Sequence, residues 1–376
     1  MATPRRPRTF LWSVLTVAVL VLGSTGYVLH DALAAPGRGG VTVKIAHWGR
    51  CHHLDSLANA IDGHPPTPPP GNCSAVAADR VRTTALTSAK PRPTAPPVPV
   101  VPLHAPVHTL VTPAQAGEGV FRPLVRIKGQ PVIQAATMRP DAYDTGDPVG
   151  VVWMRRTALR FELHPGFDEP GGNWSVPTTI APGRRTGLVA TYNGGFKVSN
   201  GDSHGGFYLN GSYAAPLRRG AASEVFHRDG TVTVGVWGEG VSMTRDVVGV
   251  RQCLVPLVAG GRVTDAVWNG GTETWGLTDG GNSFVARSGV GVDRNGDVIY
   301  VGGRLMSVET LARTLQRAGA VTAMMLDINL SWPSFMSYDP TRHPTNPTPR
   351  NLVNFVRDAD RYYDDSRRDF VAVYAR

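Results

Sequence analysis

Three stretches place polar residues where a folded core would otherwise hold none. VTAMMLDI ends an apolar run on one carboxylate, Asp327. Burial raises the pKa of such a group unless a cation offsets it. Neutral, it would be a general acid; charged, a base or nucleophile. FVARSGVGVD sets Arg287 among small and apolar residues. A guanidinium there requires an anion, which could be Asp327 or a substrate phosphate. LVATYNGGFKVSNGDSHGGFYLNG runs a strand into Asn193-Gly194-Gly195-Phe196, then presents Lys197, Asp202 and His204 before a second glycine pair. Glycines let backbone approach a ligand, and successive N–H groups can hold an anion. The same composition also suits a solvated connection between strands.

The elements that must position these residues are legible in outline. From about Val120 short strands alternate with glycine-rich turns. Arg228-Asp229-Gly230 and Asn295-Gly296 read as hairpin turns. Ser307 reads as the N-cap of a helix with Glu309 in its first turn, an apolar face of Val308, Leu311, Ala312 and Leu315, and Gly319 as its stop. The order strand, helix, strand then delivers Asp327 where the chain leaves a sheet, a usual place for a site. A second helix is expected from Pro349 to about Tyr363, before a closing strand FVAVYA. The fold class expected is α+β, with mixed or antiparallel sheets and few helices.

Upstream the texture differs. Arg5, Arg6 and Arg8 precede an apolar run that reaches Leu29. That order is expected of a signal peptide or signal anchor, with Arg5, Arg6 and Arg8 in the cytoplasm, residues 10–29 in the membrane and everything after residue 35 outside. Twelve prolines between Pro65 and Pro106 suggest an extended stalk. Cys51 and Cys73 could pair in an oxidising compartment, which leaves Cys253 as a small buried residue. The organisation expected is a membrane or signal segment at 1–35, a Cys-containing segment and stalk at 36–118, and a domain at 119–376. The net charge is +9, yet residues 118–376 carry 28 basic against 25 acidic groups. With no basic patch interleaved with aromatics, a nucleic-acid partner is not expected. No cysteine spacing suits a metal, and the sequence names no cofactor.

In this order the stretches resemble the phosphodiester glycosidase family. Asn193-Gly194-Gly195-Phe196 is similar to its Asn-Gly/Ala-Gly-Phe-Phe motif, with Lys197 at the second Phe. Asp202 resembles an acidic residue in a following glycine-rich turn, Arg287-Ser288-Gly289-Val290-Gly291 resembles an Arg-Thr-Ala-Ile-Gly motif, and Pro349-Arg350 a late Pro-Arg. The family's Leu-Asp-Gly-Gly-Gly-Ser-Ser reads here Leu326-Asp327-Ile328-Asn329-Leu330-Ser331-Trp332. One carboxylate and one serine are kept, whereas Ile328 and Leu330 restrict the close backbone approach that glycines allow. The resemblance implies an exported hydrolase of glycosyl phosphodiesters in cell-envelope glycans. Asp327, Asp202 and Arg287 would be catalytic. Asn193, Gly194, Gly195, Lys197, His204, Ser331 and Arg350 would bind substrate. Two alternatives stand beside it: a catalytically silent envelope-polysaccharide binding protein, and a glycosidase on a non-phosphorylated link.

Overall fold

The computed structural model describes residues 101–141, 147–199, 205–340 and 343–376. The membrane segment, the Cys51–Cys73 pairing, the stalk before residue 101, Asp202 and His204 therefore lie outside the described residues. Among those described, no helix is long and apolar enough to cross a membrane.

The chain runs through β1 (Arg122–Ile127), β2 (Gln130–Met138), β3 (Val149–Met154), β4 (Leu159–His164), β5 (Leu188–Asn193), β6 (Phe207–Leu209) and β7 (Ser212–Ala215). It continues through β8 (Ala222–His227), β9 (Val232–Val236), β10 (Val247–Gln252), β11 (Pro256–Ala259) and β12 (Arg262–Val263). Two short helices, α1 (Ala266–Asn269) and α2 (Thr272–Trp275), precede the β13 (Val285–Val292) and β14 (Val298–Met306) hairpin. Then come α3 (Val308–Arg317), β15 (Thr322–Met325), β16 (Phe335–Asp339), β17 (Thr348–Asn351) and β18 (Phe370–Ala375).

Three sheets result. The eight-stranded one has the order β1-β2-β3-β14-β13-β15-β11-β12, and the two five-stranded ones β7-β6-β10-β8-β9 and β17-β16-β5-β18-β4. Neighbouring strands pair antiparallel throughout. The sheet-rich part of the expected fold class is observed. Both expected hairpins are present, Arg228-Asp229-Gly230 joining β8 to β9 and Asn295-Gly296 joining β13 to β14.

Helix α3 forms where its caps and apolar face predict. Ser307 Oγ accepts the Thr310 N–H at 3.0 Å, and Gly319 closes the helix with φ of 100°. Leu311, Ala312 and Leu315 are fully buried. The glycines of β13 explain the fit: a Cβ on Gly289 would stand 3.0 Å from Leu315 Cδ1 and 3.3 Å from Leu311 Cδ1. A bare strand surface lets the helix settle, and the β14–α3–β15 unit delivers Asp327 to the sheet end.

The expected helix over Pro349–Tyr363 does not form. Pro349 lies within β17, which pairs with β16, and only one 3-10 turn, Arg361–Tyr363, follows. Asn351 Nδ2 donates to the Arg357 carbonyl at 3.0 Å, a local bond that competes with helix formation. Leu352 and Val353 meanwhile pack onto Gly150 of β3.

Candidate active site

Strand β5 ends at Asn193, which is 3% exposed. Its Nδ2 donates to Ser288 Oγ at 2.9 Å and to the Gly194 carbonyl at 2.8 Å. Its Oδ1 accepts Tyr300 OH at 3.1 Å and the Ser334 N–H at 3.0 Å. An amide has two donors and two acceptor positions, so Asn193 is saturated by the protein. It ties β5, β13, β14 and the segment before β16 together. Gly194 is similar, because its N–H donates to the Asp369 carbonyl at 2.9 Å.

Asp327 lies two residues past β15 and is 4% exposed. Arg368 Nη2 donates to its Oδ2 at 3.2 Å and to the Gly195 carbonyl at 2.8 Å. Arg368 therefore joins the carboxylate to the glycine turn. Burial raises the Asp327 pKa; the Arg368 charge pulls it down, aided by the Asn329 and Ile328 amides, while Asp369 raises it further. Arg368 is 6% exposed, and its buried Nε has no hydrogen-bond partner. An orphaned charged donor is costly, and such groups concentrate at sites.

The cation facing Asp327 is thus Arg368 and not Arg287, as expected from sequence. Side chains alternate along β13, so Ser288 reaches Asn193 while Arg287 turns to the other face. There Arg287 donates to the carbonyls of Met306 at 2.8 Å and Ser283 at 3.2 Å, and to Met325 Sδ at 3.4 Å. Burial pulls its pKa down to about 10, with no carboxylate opposing. Lys197 is exposed beyond the turn, and Ser331 is buried in the loop after Asp327. Arg350 is exposed on the edge strand β17, opposite Ser337 in register, and no hydrogen bond or ion pair ties it to Asp327.

The loop that stands where glycines were expected is held by its own side chains. Asp327 Oδ1 accepts the Asn329 N–H at 2.9 Å, and Asn329 Oδ1 accepts the Ser331 N–H at 3.0 Å. Two successive Asx-type turns replace the conformational freedom of glycine. They also consume two N–H groups that a backbone cradle would have offered.

Behind the turn lies a buried charge network that the sequence reading missed. Arg251 Nε donates to Asp369 Oδ2 at 2.7 Å, and both side chains are fully buried. Arg251 also donates to the Phe196 carbonyl. Cross-strand from it, Glu224 accepts Tyr192 OH at 2.6 Å, and its Oε2 lacks a partner. Burial pushes the Glu224 pKa up to about 7, against the Tyr192 hydrogen bond that lowers it. Cys253 is buried and free, and burial pushes its thiol up to about 12, far from a reactive thiolate. The signal that singled out Arg287, a charge inside an apolar strand, also marks Glu224 in ASEVF and Arg251 in VVGVRQC.

Glu224 is expected to make stability depend on pH. Its folded pKa exceeds the ordinary value of 4.5, so its contribution is complete below about 4.5 and lost as pH rises through about 7. The shift corresponds to about 3 kcal/mol. Glu224→Gln is expected to remove most of that dependence, read as urea midpoints at about pH 5 and about pH 8. An unchanged dependence in the variant would show that another group carries it.

Residues 186–327 match the phosphodiester glycosidase family. A search of curated proteins found no match. Among solved structures, the zebrafish N-acetylglucosamine-1-phosphodiester alpha-N-acetylglucosaminidase catalytic domain, auto-inhibited by its pro-peptide, is 15% identical with a TM-score of 0.45. That likeness covers 74% of this chain and 97% of the zebrafish one. A hypothetical protein from Synechocystis is 15% identical with a TM-score of 0.36, covering 66% of this chain and 63% of its own.

Proposed function

We propose that this chain, whose residues 186–327 match the phosphodiester glycosidase family, hydrolyses a glycosyl phosphodiester by breaking the bond between the sugar C1 and the phosphate oxygen. The observation that carries the reading is the single unit made by Asp327, Arg368 and the Gly195 carbonyl. Chemistry assigns their tasks. The leaving group is a phosphate monoester, whose second pKa is about 6, so it departs at neutral pH without a strong general acid. Its departure needs cationic neutralisation, which Arg368 is placed to give. The anomeric carbon needs a nucleophile. In its charged form, Asp327 either attacks C1 or takes the proton of a water whose oxygen bonds to C1. The second carboxylate of the pair is Asp202, by the family resemblance. The carboxylate separation that distinguishes retention from inversion depends on that residue.

On this reading the substrate is an envelope glycan carrying a sugar phosphodiester, and the domain works outside the membrane, as the Arg5-Arg6-Arg8 charge order suggests. The test is sugar release by the full chain from a UDP-sugar and a sugar phosphodiester, compared with an aryl glycoside. Turnover is expected for the first two. Turnover of the aryl glycoside alone would transfer the protein to ordinary glycosidases. A second reading, glycan binding without catalysis, is favoured by the Asx turns that occupy the Asn329 and Ser331 amides. Binding of a glycan phosphodiester without sugar release from any of these compounds would establish it.

A further inference from the structure

Beside Asp327 the chain gathers three arginines, only one of which has a carboxylate within ion-pair distance among the described residues. Trp332, half-buried in the loop after Asp327, has three guanidinium carbons about its ring: Arg368 at 5.1 Å from the centroid, Arg357 at 5.2 Å and Arg361 at 5.3 Å. All lie within cation–π range. Arg368 is shared with Asp327. Neither Arg357 nor Arg361 has a carboxylate within ion-pair distance among the described residues. Arg361 Nη1 reaches only oxygen acceptors at 3.4–3.5 Å, the Ser331 and Trp332 carbonyls and Ser334 Oγ. Partial burial lowers the Arg357 pKa, Arg361 and Arg367 lower it further, and Asp358 only partly offsets them. Arg367 itself is engaged by Asp168 at 2.9 Å.

A solvated charge cluster would spread its arginines apart in water. Here an indole holds three together, and one of them is a buried arginine whose Nε has no partner. From this juxtaposition we infer that Arg357, Arg361 and Trp332 form a second anion subsite, adjoining Asp327 through Arg368, which takes a further phosphate group on the leaving-group side of the substrate. The assignment to the leaving-group side rests on the proposed function; the anion subsite itself rests on the arginines. Planar guanidinium forks suit phosphate oxygens, and grouped cations favour a doubly phosphorylated ligand over a single phosphate. A pyrophosphate, as in a nucleoside diphosphate sugar, and two successive phosphodiesters of a polymer both supply that chemistry.

The test is calorimetric binding of inorganic pyrophosphate and of inorganic phosphate to the full chain, with Arg357→Gln, Arg361→Gln and the double variant. Pyrophosphate is expected to bind more tightly than phosphate, and the double variant to lose about tenfold of pyrophosphate affinity. Because the Arg357 side chain reaches solvent and makes no hydrogen bond or ion pair among the described residues, Arg357→Glu provides a variant whose folding is little affected, and the same loss is expected. Equal affinity of the wild type for the two anions, or retained pyrophosphate affinity in folded Arg357→Glu, would overturn the inference. A UDP-sugar and a short phosphodiester oligomer then distinguish the two sources: the arginine variants raise KM for whichever is the substrate. Tight, arginine-dependent pyrophosphate binding with no sugar release from any substrate would support the subsite and sink the hydrolase reading, so the two failures are separable.

Discussion

Asp327→Asn is expected to lower kcat by about a thousandfold, within the span that a positioned acid–base group contributes. Asn keeps the shape and an oxygen for the Asn329 N–H, but removes the charge that faces Arg368. Breaking one partner of a buried pair also costs stability, about 3–5 kcal/mol at the upper end. The activity must therefore be read below the melting temperature of the variant. A pH–rate profile separates the two effects. Burial places the Asp327 pKa above its ordinary value, so the wild-type rate is expected to fall as pH drops through a midpoint above 3.8. Arg368 is the main influence pulling that pKa down. Arg368→Gln is accordingly expected to move the acid limb to higher pH as well as to reduce the rate. A folded Asp327→Asn protein with wild-type kcat would remove Asp327 from the chemistry.

Gly194→Ala is expected to be the most damaging small substitution near the site. A Cβ there would stand 1.8 Å from Asp369 Oδ2 and 2.8 Å from the Asp369 carbonyl oxygen. Asp369 cannot yield cheaply, because Arg251 holds it and neither side chain touches water. Displacing it leaves a buried guanidinium unpaired, at about 3–5 kcal/mol. That is a large part of the roughly 5–15 kcal/mol typical of a whole domain. Gly183 provides the control, since a Cβ there meets nothing within 4 Å. Gly183→Ala is expected to be neutral or slightly stabilising. Urea unfolding of both variants decides the matter, and equal midpoints would mean that the Gly194 turn relaxes freely.

Legibility in the sequence followed the range of the forces involved. The α3 cap, the two hairpin turns and the buried run into Asp327 depend on residues close in sequence, and each is observed. Pro349–Tyr363 failed because its apolar residues are used singly, Leu352 and Val353 against Gly150, rather than along one helical face. The motif glycines were visible but not their reason. Gly194 is bare because of Asp369, which lies far along the chain.

By itself the sequence determined the turn at Asn193-Gly194-Gly195, the strand that ends at Asp327 and their resemblance to the phosphodiester glycosidase family, since local pattern and order suffice for these. Tertiary structure alone decided which charges meet. Strand pleating turned Arg287 away from Asp327 and Ser288 toward Asn193. The return of β18 beside β5 brought Arg368 and Asp369 to the glycine turn. A buried charge requires a partner, but sequence does not say from which strand it comes; that is fixed by sheet order and register, which place distant residues within hydrogen-bond reach.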